Sequence, residues 1–238
     1  MVPATPESRF QLYYWPIPFR GCFVSYLFAY QDVLLIKVEN IAEIEDMMSR
    51  ETDEQLIPFM GPPVLRDLET GRTLSQMPAI ALYVAHELRL LPEDQFDVAL
   101  CMKVIMDCND LLMEVCRYNG SSMWVRKEWV EFRSRRFPRW LQIFEESMQR
   151  GFIGKGSVSF ADVGVYALFG NMIRCLPELE ADIVAHAPRV RALCRTIGAQ
   201  PSLAEHVKEE ERKYGKLYCG GQIEESIRTM LSLDAQQP

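Results

Sequence analysis

Gly61-Pro62-Pro63-Val64-Leu65, followed by Leu74-Ser75-Gln76-Met77, is the stretch on which the fold turns. A proline just before an apolar strand cannot complete a sheet ladder, so it belongs at an edge or a turn. A cis bond there would be a built-in kink that leaves the next residue's backbone facing outward. A strand edge presented in this way can pair with the backbone of a small peptide. The second segment lies where a turn becomes a helix, and helix N-termini favour anions such as a carboxylate. Together they predict a pocket for a small peptide with a free carboxylate. Met77 is an unexpected residue at such an anion position.

Upstream, Phe10 to Trp15 reads as an aromatic-rich strand stopped by Pro16-Ile17-Pro18. Arg20 to Tyr30 has helical spacing, with Phe23, Leu27 and Tyr30 on one stripe, and Val33 to Val38 is a short apolar strand. This strand–helix–strand order is that of a parallel βαβ unit. Glu39 to Glu54 holds seven carboxylates against the single basic residue Arg50 and reads as a solvated helix or loop. Residues 63–67 form a third strand, Glu69-Thr70-Gly71 a turn, Arg72 to Leu74 a fourth strand, and Gln76 to Leu88 a helix. The order βαβ then ββα is thioredoxin-like.

Leu91-Pro92-Glu93-Asp94 reads as a linker, and from there to about residue 207 there is no strand pattern. Helices are expected over Phe96–Arg117 and Ser122–Met148. A glycine-rich break spans Gly151–Gly156. A capping box at Ser159-Phe160-Ala161-Asp162 opens an apolar helix through Ile173. Pro188–Ile197 and Ser202–Glu211 continue the helical series. The expected division is therefore an α+β fold. A thioredoxin-like domain covers 10–90, an all-helical domain 95–211, and a polar tail 212–238 with a short helix at Ile223–Leu231. Residues 1–9 read as a loose arm.

The composition is that of a globular protein of 238 residues, 48% hydrophobic and 25% charged. A net charge of -7 argues against non-specific binding to nucleic acid. Seven cysteines without a Cys-x-x-Cys pair argue against a disulfide framework and a structural zinc site. Met1 to Arg9 lacks an apolar run and does not read as a signal peptide. No stretch reaches the roughly 18 apolar residues of a membrane span. A soluble, cytoplasmic protein without metal is the expectation.

The chain resembles the glutathione transferases over roughly residues 10–210, closest to the tyrosine-type, sigma-like classes. The resemblance rests on Leu12-Tyr13-Tyr14-Trp15, Arg20, Leu27-Phe28-Ala29-Tyr30 and Pro58-Phe59. It continues through Pro63-Val64-Leu65, Leu74-Ser75-Gln76, Ala79-Ile80-Ala81-Leu82-Tyr83, Ser159-Phe160-Ala161-Asp162 and Pro188-Arg189-Val190. It implies a detoxifying homodimer with glutathione as cosubstrate and a small apolar electrophile as second substrate. It implies that Tyr14 hydrogen-bonds the glutathione sulfur, that Pro63 and Val64 frame the cysteinyl part, that Gln76 and position 77 hold the γ-glutamyl carboxylate, and that Arg20 is the structural arginine of the first helix. The chemistry is general: a thiol of pKa about 8.5 is mostly protonated at neutral pH, and the thiolate is the nucleophile. A phenol O–H aimed at sulfur favours the charged form.

The chain also departs from the family pattern. The serine expected after the glutamine is Met77, which keeps only its backbone N–H. The helix after the second strand usually supplies a tryptophan and a lysine to the glycine carboxylate, but reads Glu43-Ile44-Glu45-Asp46 here. The aspartate that sigma-type enzymes place in the next helix aligns with Lys103. The acidic stretch suggests a thiol whose glycine carboxylates are masked or replaced by a cationic group such as a polyamine.

Other features have competing readings. Tyr14 is either the sulfur-binding tyrosine or a strand aromatic of the core. Cys22, near a helix start, reads as a buried cysteine rather than a thiol-transfer nucleophile. Arg117 to Trp140 carries seven basic residues against two acidic ones with interleaved tryptophans. It reads as an amphipathic helix, tryptophans inward, before it reads as a nucleic-acid surface. Met102, Met106, Leu112 and Met113 lie near an interdomain helix face. His86, His186 and His206 show no ligand spacing. Two functions remain: a transferase using Tyr14, and a non-catalytic binding or scaffold protein that keeps the fold.

Overall fold

Phe10 and Leu12 alternate with Gln11 and Tyr13, and that period of two builds the first strand, β1 (Phe10–Tyr13). In the computed structural model, which describes residues 8–236, β1 is one of the two inner strands of a four-stranded sheet. Helix α1 (Cys22–Tyr30) leads to β2 (Leu35–Val38), which pairs parallel with β1. Helix α2 (Ile41–Ser49) precedes β3 (Val64–Asp67), and β3 and β4 (Thr73–Ser75) follow antiparallel, giving the order β2-β1-β3-β4. Leu12 faces Leu65 and Tyr13 faces Val64 across the β1–β3 register. Helix α3 (Met77–Glu87) closes this unit. Of the expected 1–9 arm, only Ser8 and Arg9 lie among the described residues.

The two faces of the sheet are covered differently. Phe10, Leu12 and Leu65 pack into the main core with α1 and α3, whereas Tyr13 and Val64 join Met47 of α2 in a small second cluster. The acidic 39–54 stretch is therefore more patterned than its composition suggests. Asn40 caps α2 by accepting the Glu43 N–H at 3.3 Å, and Ile44 and Met47, three apart, are its buried residues.

Helices fill the rest of the described chain. The long α4 (Gln95–Val115) is capped by Asp94, whose Oδ1 accepts the Phe96 and Asp97 N–H groups at 2.8 and 3.1 Å. The single helix expected over 122–148 is instead α5 (Arg126–Glu131), a five-residue stretch of wide π-type turns (Phe132–Arg136), and α6 (Phe137–Gln149). Pro138 explains the widening, since it has no N–H and crowds the carbonyl one turn back. The capping box forms as expected and opens α7 (Phe160–Val165), which passes through a second wide turn (Tyr166–Gly170) into α8 (Asn171–Cys175). Helix α7 crosses close to α4, and a Cβ on Gly164 would lie 2.4 Å from Ile105 Cδ1. Helices α9 (Glu180–His186), α10 (Pro188–Gly198), α11 (Pro201–Tyr214) and α12 (Gly221–Ala235) complete the chain. Among the described residues no helix is long and apolar enough to cross a membrane.

Residues 213–236 pack against the helical domain. Ile227, Met230 and Leu231 of α12 are buried. Asp234 accepts from Trp129 Nε1 at 2.8 Å and Arg133 Nη1 at 2.5 Å, and also pairs with Arg126. This accounts for the basic, tryptophan-bearing 117–140 stretch. Trp124 and Trp129 are buried, Trp140 is half-buried, and the arginines are used in ion pairs, Arg117 with Glu128 and Arg136 with Glu114.

A buried polar cluster ties α11 to the sheet. Glu210, 3% exposed, receives Lys37 Nζ of β2 at 3.0 Å, and its Oε2 lies 2.8 Å from Tyr26 Oη of α1. His206 Nε2 stands 3.4 Å from its other oxygen. Burial alone would raise the Glu210 carboxyl, but His206 and Lys37 outweigh it and hold it at about 2.

Candidate active site

Tyr14 directly follows β1, where the chain leaves the sheet for the Pro16–Pro18 turn. Its side chain is 4% exposed, and its ring lies over Gly21. The backbone N–H of Arg20 donates to Tyr14 Oη at 3.0 Å. Among the described residues no acceptor takes the Tyr14 proton. Burial pushes the phenol well above the ordinary tyrosine range, against the opposing charge of Arg20. Tyr14 is therefore a neutral O–H donor at physiological pH.

The group lines a cavity of about 800 Å³ between the sheet unit and α4. One wall consists of Gly61, Pro62 and Pro63 with Met48 of α2 and Met60; the Pro62–Pro63 peptide bond is cis. The two prolines carry no N–H, so neither can donate a backbone hydrogen bond from this wall. Gln76 and Met77 form the α3 side. Gln76 holds φ 71°, uncommon for a residue with a side chain, and its amide has no partner among the described residues. As the first residue of α3, Met77 carries an N–H that helix geometry leaves without an intrahelical acceptor. The Met77 side chain is packed into the main core.

The opposite wall belongs to the helices. Asn109, Asp110, Met113 and Cys116 follow one another down one side of α4, and Asn119 lies just beyond. Residues 117–120 all have positive φ, a single left-handed turn. The Asn119 N–H donates to Cys116 Sγ at 3.3 Å and the Gly120 N–H to the Cys116 carbonyl at 2.8 Å, which holds that turn in place. Arg20 points at this wall: Nη2 lies 3.1 Å from Met113 Sδ and 3.8 Å from Cys116 Sγ. No carboxylate pairs with Arg20, and no cation with Asp110, among the described residues. Trp15, Ile17 and Phe19, with Cys219 and Ile223 from the C-terminal segment, supply apolar lining.

Tyr14, Arg20, Pro63, Gln76 and Met77 thus meet around one cavity. Val64 does not line it: fully buried, it pairs with Tyr13 on one side and Ser75 on the other. Arg20 precedes α1 rather than lying inside it. Lys103 is exposed, pairs with Asp107 and stays outside the cavity. Of the methionines singled out, Met113 lines the cavity, Met102 packs against the core and Met106 is exposed. Cys22 is buried, its Sγ receiving Asn171 Nδ2 at 2.8 Å, and burial drives its thiol pKa upward. Among the described residues no group of three or more His, Cys, Asp and Glu could hold a metal ion.

Sequence reasoning missed several lining residues. Asn109 and Cys116 share a helix face with Met113, at i, i+7 and i+4, so the spacing that singled out Met113 could have found them. Asn119, Cys219 and Ile223 had no local signal, nor had Gly21, which packs against the Tyr14 ring.

Comparison with known proteins adds the lineage. Residues 100–230 match the family model for the glutathione S-transferase C-terminal domain. A prostaglandin synthase D of Nilaparvata lugens superposes with a TM-score of 0.68 at 17% identity, covering 84% of this chain and 98% of that one. A Pi-class glutathione S-transferase of Onchocerca volvulus gives 0.69 at 18% identity, covering 90% and 98%. Rat hPGDS, complexed with a quinoline, gives 0.66 at 20% identity, covering 84% and 96%. No curated protein sequence matches the chain significantly.

Proposed function

The chain belongs to the glutathione S-transferase family, and from that premise we propose that it is a transferase in which Tyr14 holds a glutathione-type thiolate for attack on a small apolar electrophile. The observation that carries this reading is the Tyr14 phenol itself. It is buried, its oxygen receives the Arg20 N–H, its proton has no acceptor among the described residues, and it lines the cavity.

With its pKa raised, Tyr14 is already protonated at physiological pH and so does not remove the thiol proton; that proton leaves to solvent. Tyr14 instead donates to the sulfur and stabilises the thiolate, and the N–H bond on its oxygen strengthens that donation. The thiolate then forms the new C–S bond as the electrophile's leaving group departs with its electron pair, or as the pair of its activated double bond moves onto the substrate and is protonated by solvent. Gln76 and the Met77 N–H, at the positive end of α3, receive the γ-glutamyl carboxylate. The Gly61-Pro62-Pro63 segment, with Met48 and Met60, meets the rest of the peptide from its cysteinyl part to its glycine end. Trp15, Ile17, Phe19, Met113 and Ile223 receive the electrophile, and Arg20 stands between the sulfur position and that wall. A homodimer, cytoplasmic residence and a role in detoxification belong to the same reading.

The second reading, a non-catalytic binding protein, draws on Met77 and the two prolines, which remove donors from the thiol-peptide site. Capture on immobilised glutathione, followed by a conjugation assay of wild type and Tyr14→Phe, separates the two. Turnover in the wild type that collapses in the variant supports the enzyme. Equal turnover in both would remove Tyr14 from the mechanism. Retention without turnover selects the binding protein.

A further inference from the structure

We propose that the thiol bound beside Tyr14 carries one carboxylate and ends in a neutral amide: a γ-glutamyl-cysteinyl amide such as glutathione amidated at its glycine. This rests on reading the Tyr14 cavity as a thiol site. Glutathione itself brings two carboxylates and one ammonium group. The cavity is provided for one of those carboxylates, at the start of α3, where the Met77 N–H, the unpaired Gln76 amide and the helix dipole converge.

Nothing comparable stands on the wall across from α4. It is built from Met48, Met60, Gly61, Pro62 and Pro63, with no charged side chain, and its two prolines carry no N–H. A carboxylate pressed there loses water and meets carbonyl oxygens, an unfavourable exchange. A terminal amide in the same place brings N–H donors to those oxygens. Arg20 cannot serve this wall, because its guanidinium is turned toward Met113 and Cys116. Arg50, the one basic residue of 39–54, is tied to Asp46 at 2.6 Å and does not line the cavity.

The charges of the cavity agree. Among the described residues lining it, Arg20 and Asp110 are the acid and base of fixed charge, one of each sign, which suits a zwitterion better than a ligand with excess negative charge. The carboxylates of 39–54 do not line the cavity, so they call for no cationic tail. The polyamine conjugate suggested by composition gives way to a neutral end group.

Calorimetric titration of the full chain at neutral pH, with S-methylglutathione and with its glycyl amide, tests the proposal. The amide is expected to bind at least about tenfold tighter, the scale of one lost charged hydrogen bond. Met48→Lys, which places a cation on this wall, is expected to erase or reverse that preference. Equal or tighter binding of S-methylglutathione by the wild type overturns the inference while leaving the thiol-site reading intact. A preference unchanged in Met48→Lys overturns it too, since the wall would not be its source. Binding of neither ligand overturns both.

Discussion

The ring of Tyr14 rests on the Cα of Gly21, so closely that a Cβ at position 21 would stand 2.4 Å from Cδ1 and 2.8 Å from Cγ of the ring. Gly21 does not have a positive φ; its value is -63°. The constraint is therefore space and not backbone conformation. Gly21→Ala is expected to push the phenol out of line with the Arg20 N–H. Overpacking of this kind costs about 1–3 kcal/mol. Thermal denaturation should show a modest loss, and the conjugation rate should fall by much more, because a small misplacement near the reacting atoms is amplified.

Tyr14→Phe removes one hydrogen bond to a developing thiolate and leaves the packing unchanged. Such a bond contributes about 1.5–3 kcal/mol, equivalent to about one to two pKa units. The bound thiol should titrate that much higher in the variant, followed by thiolate ultraviolet absorbance against pH. An unchanged titration would place the sulfur elsewhere.

Glu210 joins α11 to the sheet through Lys37 and to α1 through Tyr26. Glu210→Gln removes the charge and leaves Lys37 without its buried partner. Breaking such a pair costs roughly 3 kcal/mol, measurable by urea unfolding. The pH dependence follows the depressed carboxyl. Its folded value is about 2 against an ordinary 4.5, so its stabilisation is full above the ordinary value and drains away as pH falls toward the folded one. The wild-type chain should lose stability across that acid range more steeply than the variant.

Asp234 anchors the C-terminal helix by accepting from Trp129 and Arg133 and pairing with Arg126. Asp234→Ala is expected to loosen α12 and cost about 2 kcal/mol, since an indole N–H loses its acceptor and two arginines lose one of theirs. Trp129 fluorescence should change with it. Because Cys219 and Ile223 line the cavity just ahead of α12 and in its first turn, the apparent KM for an apolar electrophile should rise while thiol titration stays unchanged.

Local patterns carried a large part of this architecture. The alternation of Phe10 and Leu12 with Gln11 and Tyr13, the Ser159–Asp162 capping box and the Asp94 start of α4 depend on neighbours within a few residues, which a sequence displays directly. Pro138 shows where such reading stops: its effect on the 122–148 helix is local, yet whether the helix breaks or widens depends on the packing of Phe132 and Phe137 in the core. For the site, Tyr14, Pro63, Gln76 and Met77 were legible from motif order. Val64 and Lys103 were legible as positions but not as neighbours of the cavity.

What required tertiary structure was proximity between segments remote in sequence. Arg20 lies on α4 through Met113, Tyr14 on Gly21, and Cys219 and Ile223 of the C-terminal segment on the apolar side of the cavity. Each is a close approach of surfaces whose separation is set by the whole core, and no local spacing encodes it. The same holds for the thiol's end group. Composition placed carboxylates in 39–54, but the turn of α2 directs them outward and leaves Met48 facing in. The sequence thus decided which groups the cavity could contain; packing decided which of them a ligand meets, because a helix shows a site only the face it turns toward it.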